Sequence, residues 1–149
     1  MTSAATTSAP GTDPAPSLLE RVTALYHDYA WAVDDQDYDA LRGLLTPAVR
    51  LTANDWEAEG VDDFIATYQR LLAGLAGPCR HVISNVRANR SAGGVIQTGA
   101  YFQAVFHAES AVRIQTGRYR DVHVETPVGL RIVHKRIEID PTHTLRSLT

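Results

Sequence analysis

The spacing of apolar residues changes midway along the chain. Up to about residue 75 they recur every three or four positions, and from about residue 80 they fall into long strand-like runs. The predicted strands span about residues 80–90, 94–109, 111–125 and 128–139. Because these runs follow one another through short turns, we expect hairpins and an antiparallel sheet. Helices followed by a curled meander predict an α+β fold, a cone-shaped half-barrel of a curved, mostly antiparallel sheet closed by three N-terminal helices.

Capping residues locate the first helix. Ser17 and Glu20 have the spacing of a capping box. The apolar residues that follow lie on one helical stripe up to Val33. We therefore expect the helix to end near Asp34 or Asp35.

Two further helices and a first strand are predicted before residue 80. Asp37 is a candidate N-cap for a short second helix, which Pro47 is expected to end. Residues 49–52 are a candidate first strand. Gly60 precedes a third amphipathic helix, which residues 77–78, Gly-Pro, are expected to end.

Length and composition favour one α+β domain with two tails. The 149 residues suffice for one ordinary domain. Residues 1–16, rich in Ala, Ser, Thr and Pro, are expected to be a disordered tail rather than a signal peptide. The domain is expected over residues 17–140 and a C-terminal tail over 141–149. No run reaches the ~20 apolar residues of a membrane span, so no membrane association is expected.

Charge and cysteine content narrow the partners and the location. The net charge is −3 and no basic block is present, so nucleic acid is not an expected partner. Arg113, Arg118 and Arg120 are interpreted as a solvated strand face. Cys79 is the single cysteine, which excludes a disulfide within the chain and fits a reducing cytoplasm, the expected location. Its position beside Pro78 favours a packed residue over a nucleophile.

Three side chains carry candidate chemistry. Asp34 falls at the predicted end of the first helix, His81 opens a predicted strand and His107 closes another. An imidazole oriented by a carboxylate acts as a general base near neutral pH. The alternative is structural: Asp34 ends a helix, and the histidines are satisfied at strand ends. The six histidines lack HxxxH and HExxH spacing, so a zinc site is not expected.

Short motifs along residues 17–140 resemble the nuclear-transport-factor-2-like superfamily, and within it the SnoaL-like branch that contains the scytalone dehydratases. They are residues 37–39, Asp-Tyr-Asp, residues 80–83, Arg-His-Val-Ile, Gly99 eight residues before His107, and residues 117–121, Gly-Arg-Tyr-Arg-Asp. The resemblance implies that Asp34 orients His81 and that His107 lies across the pocket. The candidate substrate-binding residues are Tyr26, Trp31, Asn85, Tyr101 and Tyr119.

The resemblance implies a cofactor-independent dehydratase, isomerase or cyclase, in which an Asp–His dyad acts on a hydrophobic cyclic or polyketide-like molecule in a buried pocket. Two alternatives stay open. One is a non-catalytic small-molecule binding protein. The other is the structural small subunit of a ring-hydroxylating dioxygenase, because residues 117–121 and 129–132 also resemble such subunits. We expect the outer sheet face to be apolar and to be covered in a homo-oligomer, a trimer or a dimer.

Overall fold

The computed structural model describes residues 14–146, which form three helices and a seven-stranded mixed sheet. The helices are α1 (Leu18–Asp34), α2 (Tyr38–Gly43) and α3 (Val61–Ala73). The strands are β1 (Leu45–Thr52), β2 (Glu57–Glu59), β3 (Cys79–Arg90), β4 (Ile96–His107), β5 (Ala111–Thr126), β6 (Gly129–Ile139) and β7 (His143–Arg146). Residues 1–13 of the expected N-terminal tail and residues 147–149 of the C-terminal one lie outside the described range. None of the described helices has the length and hydropathy of a membrane span.

The predicted capping of α1 is confirmed. The Ser17 amide donates to Glu20 Oε2 at 2.7 Å, and the Glu20 amide donates to Ser17 Oγ at 3.3 Å. The helix then buries one apolar stripe against the sheet and ends at Asp34. The stripe orients the helix, so its last residue is held against the start of β3.

The next helices are shorter than predicted. Asp37 caps α2 by accepting from the Ala40 amide at 2.9 Å, as predicted, but α2 ends at Gly43, and Pro47 lies inside β1. Proline is tolerated there because the pairing of β1 with β6 is irregular between Leu45 and Arg50, so no regular ladder bond is lost. Helix α3 ends at Ala73, before the Gly-Pro pair.

The sheet confirms the predicted meander and adds two short strands. Its order is β2-β1-β6-β5-β4-β3, with β1 parallel to β6 and every other pair antiparallel. Strand β7 pairs with the beginning of β5, within the segment that was expected to be a C-terminal tail. Strands β2 and β7 have three and four residues, too few for an alternating pattern to mark them.

The inner face of the curved sheet, covered by α1 and α3, holds the core. Along β4 the buried residues alternate, with Ala100, Phe102 and Ala104 facing inward. On β5 the buried positions at this level include Tyr119. The result is the predicted α+β half-barrel, with a core between helices and sheet that leaves room for a cavity at one end.

The outer sheet face differs from the prediction. It was expected to be apolar, yet Arg87, Arg118, Arg120 and Arg136 surround a shallow hollow at its centre. Side chains alternate between the two faces of a strand. The residues on either side of the buried Tyr119 therefore point to the outer face, which explains the arginines there. The outer face is therefore mixed, with arginines beside exposed apolar side chains such as Val82 and Tyr101.

Candidate active site

The C-terminal end of α1 meets the beginning of β3 at a carboxylate–histidine pair. The ring Nδ1–H of His81 donates to Asp34 Oδ1 at 2.6 Å, and the backbone amide of the same residue donates to Oδ2 at 2.8 Å. The side chain of Asp34 is 8 % exposed and that of His81 is 12 % exposed. Because both carboxylate oxygens are occupied by His81, the ring is fixed in orientation and Nδ1 carries the hydrogen.

The ring of His81 borders a cavity of about 210 Å³ inside the cone. It lies edge-on to the Phe106 ring, 6.5 Å between centroids. Within residues 14–146 no group bonds to His81 Nε2, and that atom is not among the buried unpaired ones. Nε2 therefore remains available as a proton acceptor. The lining of the cavity is Tyr29, Trp56, Tyr68, Leu71, Leu72, Leu75, His81, Phe102, Phe106, Arg113, Gln115, Tyr119, Ile137 and Ile139.

Three tyrosines supply hydroxyl groups at the inner end of this cavity. The hydroxyls of Tyr29 and Tyr68 hydrogen-bond to each other, and the Tyr119 hydroxyl has no protein partner in the described range. Burial is the main cause that raises the pKa of each phenol. All three are therefore neutral hydrogen-bond donors near pH 7. Tyr68 was not predicted from the sequence as a site residue.

Cys79 lies beside the pair. Its Sγ is 3.7 Å from His81 Nδ1, and burial together with the nearby Asp34 carboxylate raises the pKa of the thiol to about 12. The thiol is therefore protonated and packed, which agrees with a structural role rather than a nucleophilic one.

The same three residues could hold a metal ion. Donor atoms of Asp34, Cys79 and His81 all lie within 4.8 Å of one another, and no other such group occurs in residues 14–146. Ligand atoms around tetrahedral zinc are about 3.3 Å apart. The Asp34–His81 contact of 2.6 Å is shorter. A metal would have to open this hydrogen bond, so the arrangement fits a proton-transfer pair better than a ligand set.

A second buried polar cluster lies deeper in the cone. Lys135, the single lysine of the chain, donates to Asp121 Oδ2 at 2.8 Å, and both side chains are fully buried. The Lys135 ammonium lies 3.1 Å from the centroid of the Tyr119 ring. Burial lowers the lysine pKa to about 8, against the opposing effect of Asp121. No sequence pattern marked this lysine as buried.

Tyr26 belongs to this deeper cluster rather than to the cavity. Its hydroxyl bonds to Thr98 Oγ1 at 2.7 Å and donates to Asp121 Oδ2 at 3.0 Å. Thr98 in turn bonds to the buried His123 ring at 2.9 Å, and burial lowers the pKa of His123 to about 4. The position of Tyr26 on the buried stripe of α1 explains why it reaches the core instead of a ligand.

The two residues predicted on β4 lie on the wrong face for the cavity. Phe102 and Phe106 point inward, so Tyr101 and His107 point outward and are exposed. Tyr101 borders the hollow on the outer face, and its ring lies under the Arg118 guanidinium. The prediction that His107 lies across the pocket from His81 is therefore wrong, because His107 follows the inward Phe106 and faces the other side of the strand.

Two other predicted ligand contacts also lie outside. Trp31 is 67 % exposed on α1 and lines a groove outside the cone, whose lining also includes Asp34 and His81. Asn85 sits at an irregularity of β3 with φ of 53°, which turns it to the outer hollow. Of the five predicted substrate-binding residues, Tyr119 alone lines the cavity beside His81.

Arg113 was assigned to a solvated face together with Arg118 and Arg120, but it lines the cavity. The sequence could have shown this. Arg113 is an even number of residues from the inward Tyr119, so both face the same side of β5, whereas Arg118 and Arg120 are one residue from Tyr119 and face the other side. Strand parity therefore separates Arg113 from its two neighbours.

The sequence comparison decides the family. The sequence profile of the SnoaL-like domain matches residues 17–136, which covers α1 through most of β6. The chain belongs to the SnoaL-like domain family. This confirms the resemblance drawn from the short motifs. Among curated proteins, no sequence matches this SnoaL-like chain significantly.

Solved structures of the same fold extend this result. A protein from Novosphingobium aromaticivorans, provisionally assigned as a scytalone dehydratase, superposes with a TM-score of 0.73 at 16% identity, covering 87% of each chain. ActVI-ORFA from Streptomyces coelicolor has a TM-score of 0.76 at 17% identity, covering 83% of this chain and 98% of its own. A hexachlorocyclohexane dehydrochlorinase from Novosphingobium barchaimii has a TM-score of 0.76 at 10% identity, covering 86% and 90%. At these identities the likeness establishes the fold.

Proposed function

We propose that this SnoaL-like protein is a cofactor-independent acid–base enzyme, a dehydratase, isomerase or cyclase of hydrophobic cyclic or polyketide-like molecules. The observation that carries the proposal is the Asp34–His81 pair at the edge of a mostly apolar cavity. Pockets of this kind bind small apolar molecules and orient them with a few polar groups. The names of the scytalone dehydratase-like and dehydrochlorinase neighbours are in keeping with such chemistry.

The first chemical step is removal of a proton from a carbon next to a carbonyl. The Nε2 lone pair of His81 takes the proton, and the ring becomes an imidazolium. The Asp34 carboxylate, already bonded to Nδ1–H, stabilises that positive charge and holds the tautomer. General-base catalysis of this kind contributes about 10²–10⁴-fold to a rate.

The negative charge left on the substrate oxygen needs hydrogen-bond donors. In the Tyr29–Tyr68 pair one hydroxyl donates to the other, so one O–H of the pair is left for the substrate. The Tyr119 hydroxyl supplies a second donor. Donors that are fixed in place before the reaction stabilise developing charge without reorganisation, which is their main contribution to the rate.

The fate of the enolate sets the reaction class. If a hydroxyl leaves from the β carbon with a proton, the products are an unsaturated ketone and water. If the proton returns to another carbon, the reaction is an isomerisation, and if the enolate attacks an internal carbonyl, it is a cyclisation. Proton abstraction by His81 is common to all three outcomes.

Dehydration of 3-hydroxy-1-tetralone tests the proposal. Loss of a C2 proton and the C3 hydroxyl gives one water and a ketone that tautomerises to fluorescent 1-naphthol. We expect wild-type protein to accelerate 1-naphthol formation and His81→Ala to lose this acceleration by about 100-fold or more. The control is His143→Ala, an exposed histidine of β7. Equal rates for wild type and His81→Ala would refute the proposal.

A binding protein without chemistry is the competing function, and the same protein samples distinguish it. Such a protein would bind 1-tetralone with unchanged affinity after His81→Ala and would form no product from the hydroxylated probe. Calorimetric titration of both proteins with 1-tetralone provides the affinity. Binding without turnover would favour the carrier function over the enzyme.

A homo-oligomer, dimer or trimer, remains part of the proposal on the basis of the family resemblance. The four arginines of the outer face predict that assembly through that face is sensitive to salt. Light scattering after size exclusion, at low and high ionic strength, measures the assembly. A monomer under both conditions would contradict it.

A further inference from the structure

The mouth of the cavity carries an arginine without an acidic partner. The Arg113 guanidinium lies 4.3 Å over the centroid of the Phe106 ring. No carboxylate of residues 14–146 lies within ion-pair distance of it, whereas Arg21, Arg90 and Arg120 each pair with a glutamate at 2.6–2.7 Å. The side chain is exposed and still lines the cavity. A cation is therefore held at the entrance with its hydrogen-bond donors free.

Strand register fixes Arg113 relative to the catalytic histidine. His81 is opposite Ala104, whereas Arg113 is opposite Phe106, two residues further along β4. Strands β3 and β5 lie on either side of β4, and the two residues are offset by two positions along the strands. Their backbones are therefore about 12 Å apart. Both side chains line the same cavity, and the Phe106 ring centroid lies 6.5 Å from that of His81 and 4.3 Å from the Arg113 guanidinium. A ligand that lies along the Phe106 ring can therefore contact both the imidazole and the guanidinium.

We propose that Arg113 binds a carboxylate of the substrate, so that the natural substrate is a cyclic carboxylic acid whose reacting carbon lies at His81. This inference rests on the function proposed above. The guanidinium offers two parallel N–H groups that match the two carboxylate oxygens. Stacking on Phe106 limits the rotamers of the long side chain, which reduces the entropy lost on binding.

The rest of the cavity supports the same orientation of the ligand. Leu71, Leu72 and Leu75 form an apolar wall, which suits the ring, and Gln115 is the next inward residue of β5. One unpaired cation matches the single charge of a carboxylate better than the two charges of a phosphate. The cavity of about 210 Å³ is smaller than the roughly 300–1,000 Å³ of sites for drug-sized ligands, so the substrate has one or two rings.

Binding of two matched probes tests the role of Arg113. 1-Naphthaleneacetate and 1-naphthaleneacetamide share ring and shape but differ in charge, and calorimetric titration measures both dissociation constants. Wild-type protein is expected to bind the acid about tenfold or more tightly than the amide, since hydrogen bonds to charged groups are strong. Arg113→Gln is expected to bind both equally, with the affinity for the amide unchanged.

The matched control is Arg118→Gln. Arg118 lies on the same strand over an aromatic ring, 5.5 Å from the Tyr101 centroid, but on the outer face. This variant loses the same charge and must keep the preference for the acid. Thermal melting of both variants checks that the fold is retained.

The proposal is overturned if wild-type protein binds acid and amide equally, if it binds neither, or if Arg113→Gln keeps the preference. These failures are distinct from failure of the proposed enzyme function. 3-Hydroxy-1-tetralone carries no carboxylate, so its dehydration tests His81 independently of Arg113. Dehydration without acid preference would remove the role of Arg113 alone. Acid preference without dehydration would remove the enzyme function and leave Arg113 only as a carboxylate-binding residue.

Discussion

The carboxylate of Asp34 accepts both N–H groups of one residue, His81, the ring Nδ1–H at 2.6 Å and the backbone amide at 2.8 Å. The second bond ties the carboxylate to the start of β3 and the first bond aims the ring. Two bonds to one residue leave the carboxylate little freedom to turn away. The imidazole is therefore oriented before any ligand arrives, as a general base requires.

Replacing this carboxylate by an amide should change the histidine tautomer. In Asp34→Asn the amide N–H₂ can face Nδ1, which favours the tautomer with hydrogen on Nε2, the atom that must accept the proton. We expect dehydration of 3-hydroxy-1-tetralone to fall by about 100-fold or more. Nitrogen-15 NMR of the histidine ring should show the change of tautomer. The neighbouring exposed Asp35→Asn serves as the control, and an unchanged tautomer in Asp34→Asn would contradict the assignment.

The buried Lys135–Asp121 pair should be costly to break from one side. Lys135→Met leaves the Asp121 charge buried without its ammonium partner, which is expected to lower the free energy of unfolding by about 3–5 kcal/mol. The double variant Lys135→Met/Asp121→Asn should lose less than the sum of the single variants. Urea unfolding measures these differences.

The control for this pair is exposed. Arg42 and Asp62 form an ion pair at 2.7 Å on the surface, and Arg42→Met should change the urea midpoint little. Strictly additive effects of the two buried substitutions would show that Lys135 and Asp121 are not coupled.

An exposed glutamate links α1 to the sheet and should give a pH-dependent contribution to stability. Hydrogen bonds from Arg21 and then Arg90 lower the pKa of Glu125 to about 2 from its ordinary value of 4.5. The unfolded chain therefore binds the proton first as the pH falls, so the contribution is present above pH 4.5 and is lost towards pH 2.

Thermal melting of Glu125→Gln across this range measures that contribution. The variant should melt below wild type above pH 4.5, and the two curves should converge near pH 2. High salt should narrow the gap, because the pair is open to solvent. Glu109→Gln, a control at an exposed residue without an ion pair in the described range, should show no such trend. A gap that persists unchanged at pH 2 would exclude this linkage.

Gly117 permits a close approach of β5 to its neighbours. A Cβ at this position would collide with the Glu138 carbonyl oxygen and come within 2.7 Å of Phe102, which lines the cavity. Gly117→Ala is expected to lower the free energy of unfolding by about 1–3 kcal/mol and to weaken binding of 1-tetralone. Urea unfolding and calorimetry measure the two effects. The control is Gly43→Ala, because nothing lies within 4 Å of a Cβ there, and it should leave stability and binding nearly unchanged. Unchanged stability and binding in Gly117→Ala would contradict this account of Gly117.

The sequence predicted the elements well where a periodic pattern was long. Helix α1 has a capping box and a complete stripe, and the four long strands have eleven or more residues each. Pro47 misled the prediction because proline ends helices more often than it sits in an irregular strand. Strands of three or four residues such as β7 carry no period that a sequence can show.

The site was predictable in part. The pairing of Asp34 with His81, 47 residues apart, came from the family resemblance and not from any local pattern. On β4 both faces carry aromatic and apolar residues, so the alternation did not show whether Tyr101 or Phe102 faces the cavity. The burial of Lys135 depends on a partner on another strand, Asp121, which no spacing along one strand reveals.

The exchange of ketone α-protons tests the central claim most directly, because it isolates the step assigned to His81 from any leaving group. 1-Tetralone in D₂O exchanges its C2 protons when a base removes them, and NMR follows the loss of signal. The account predicts that wild-type protein accelerates this exchange and that His81→Ala reduces the acceleration by about 100-fold or more, with His143→Ala equal to wild type. Exchange at the same rate in wild type and His81→Ala would contradict the account.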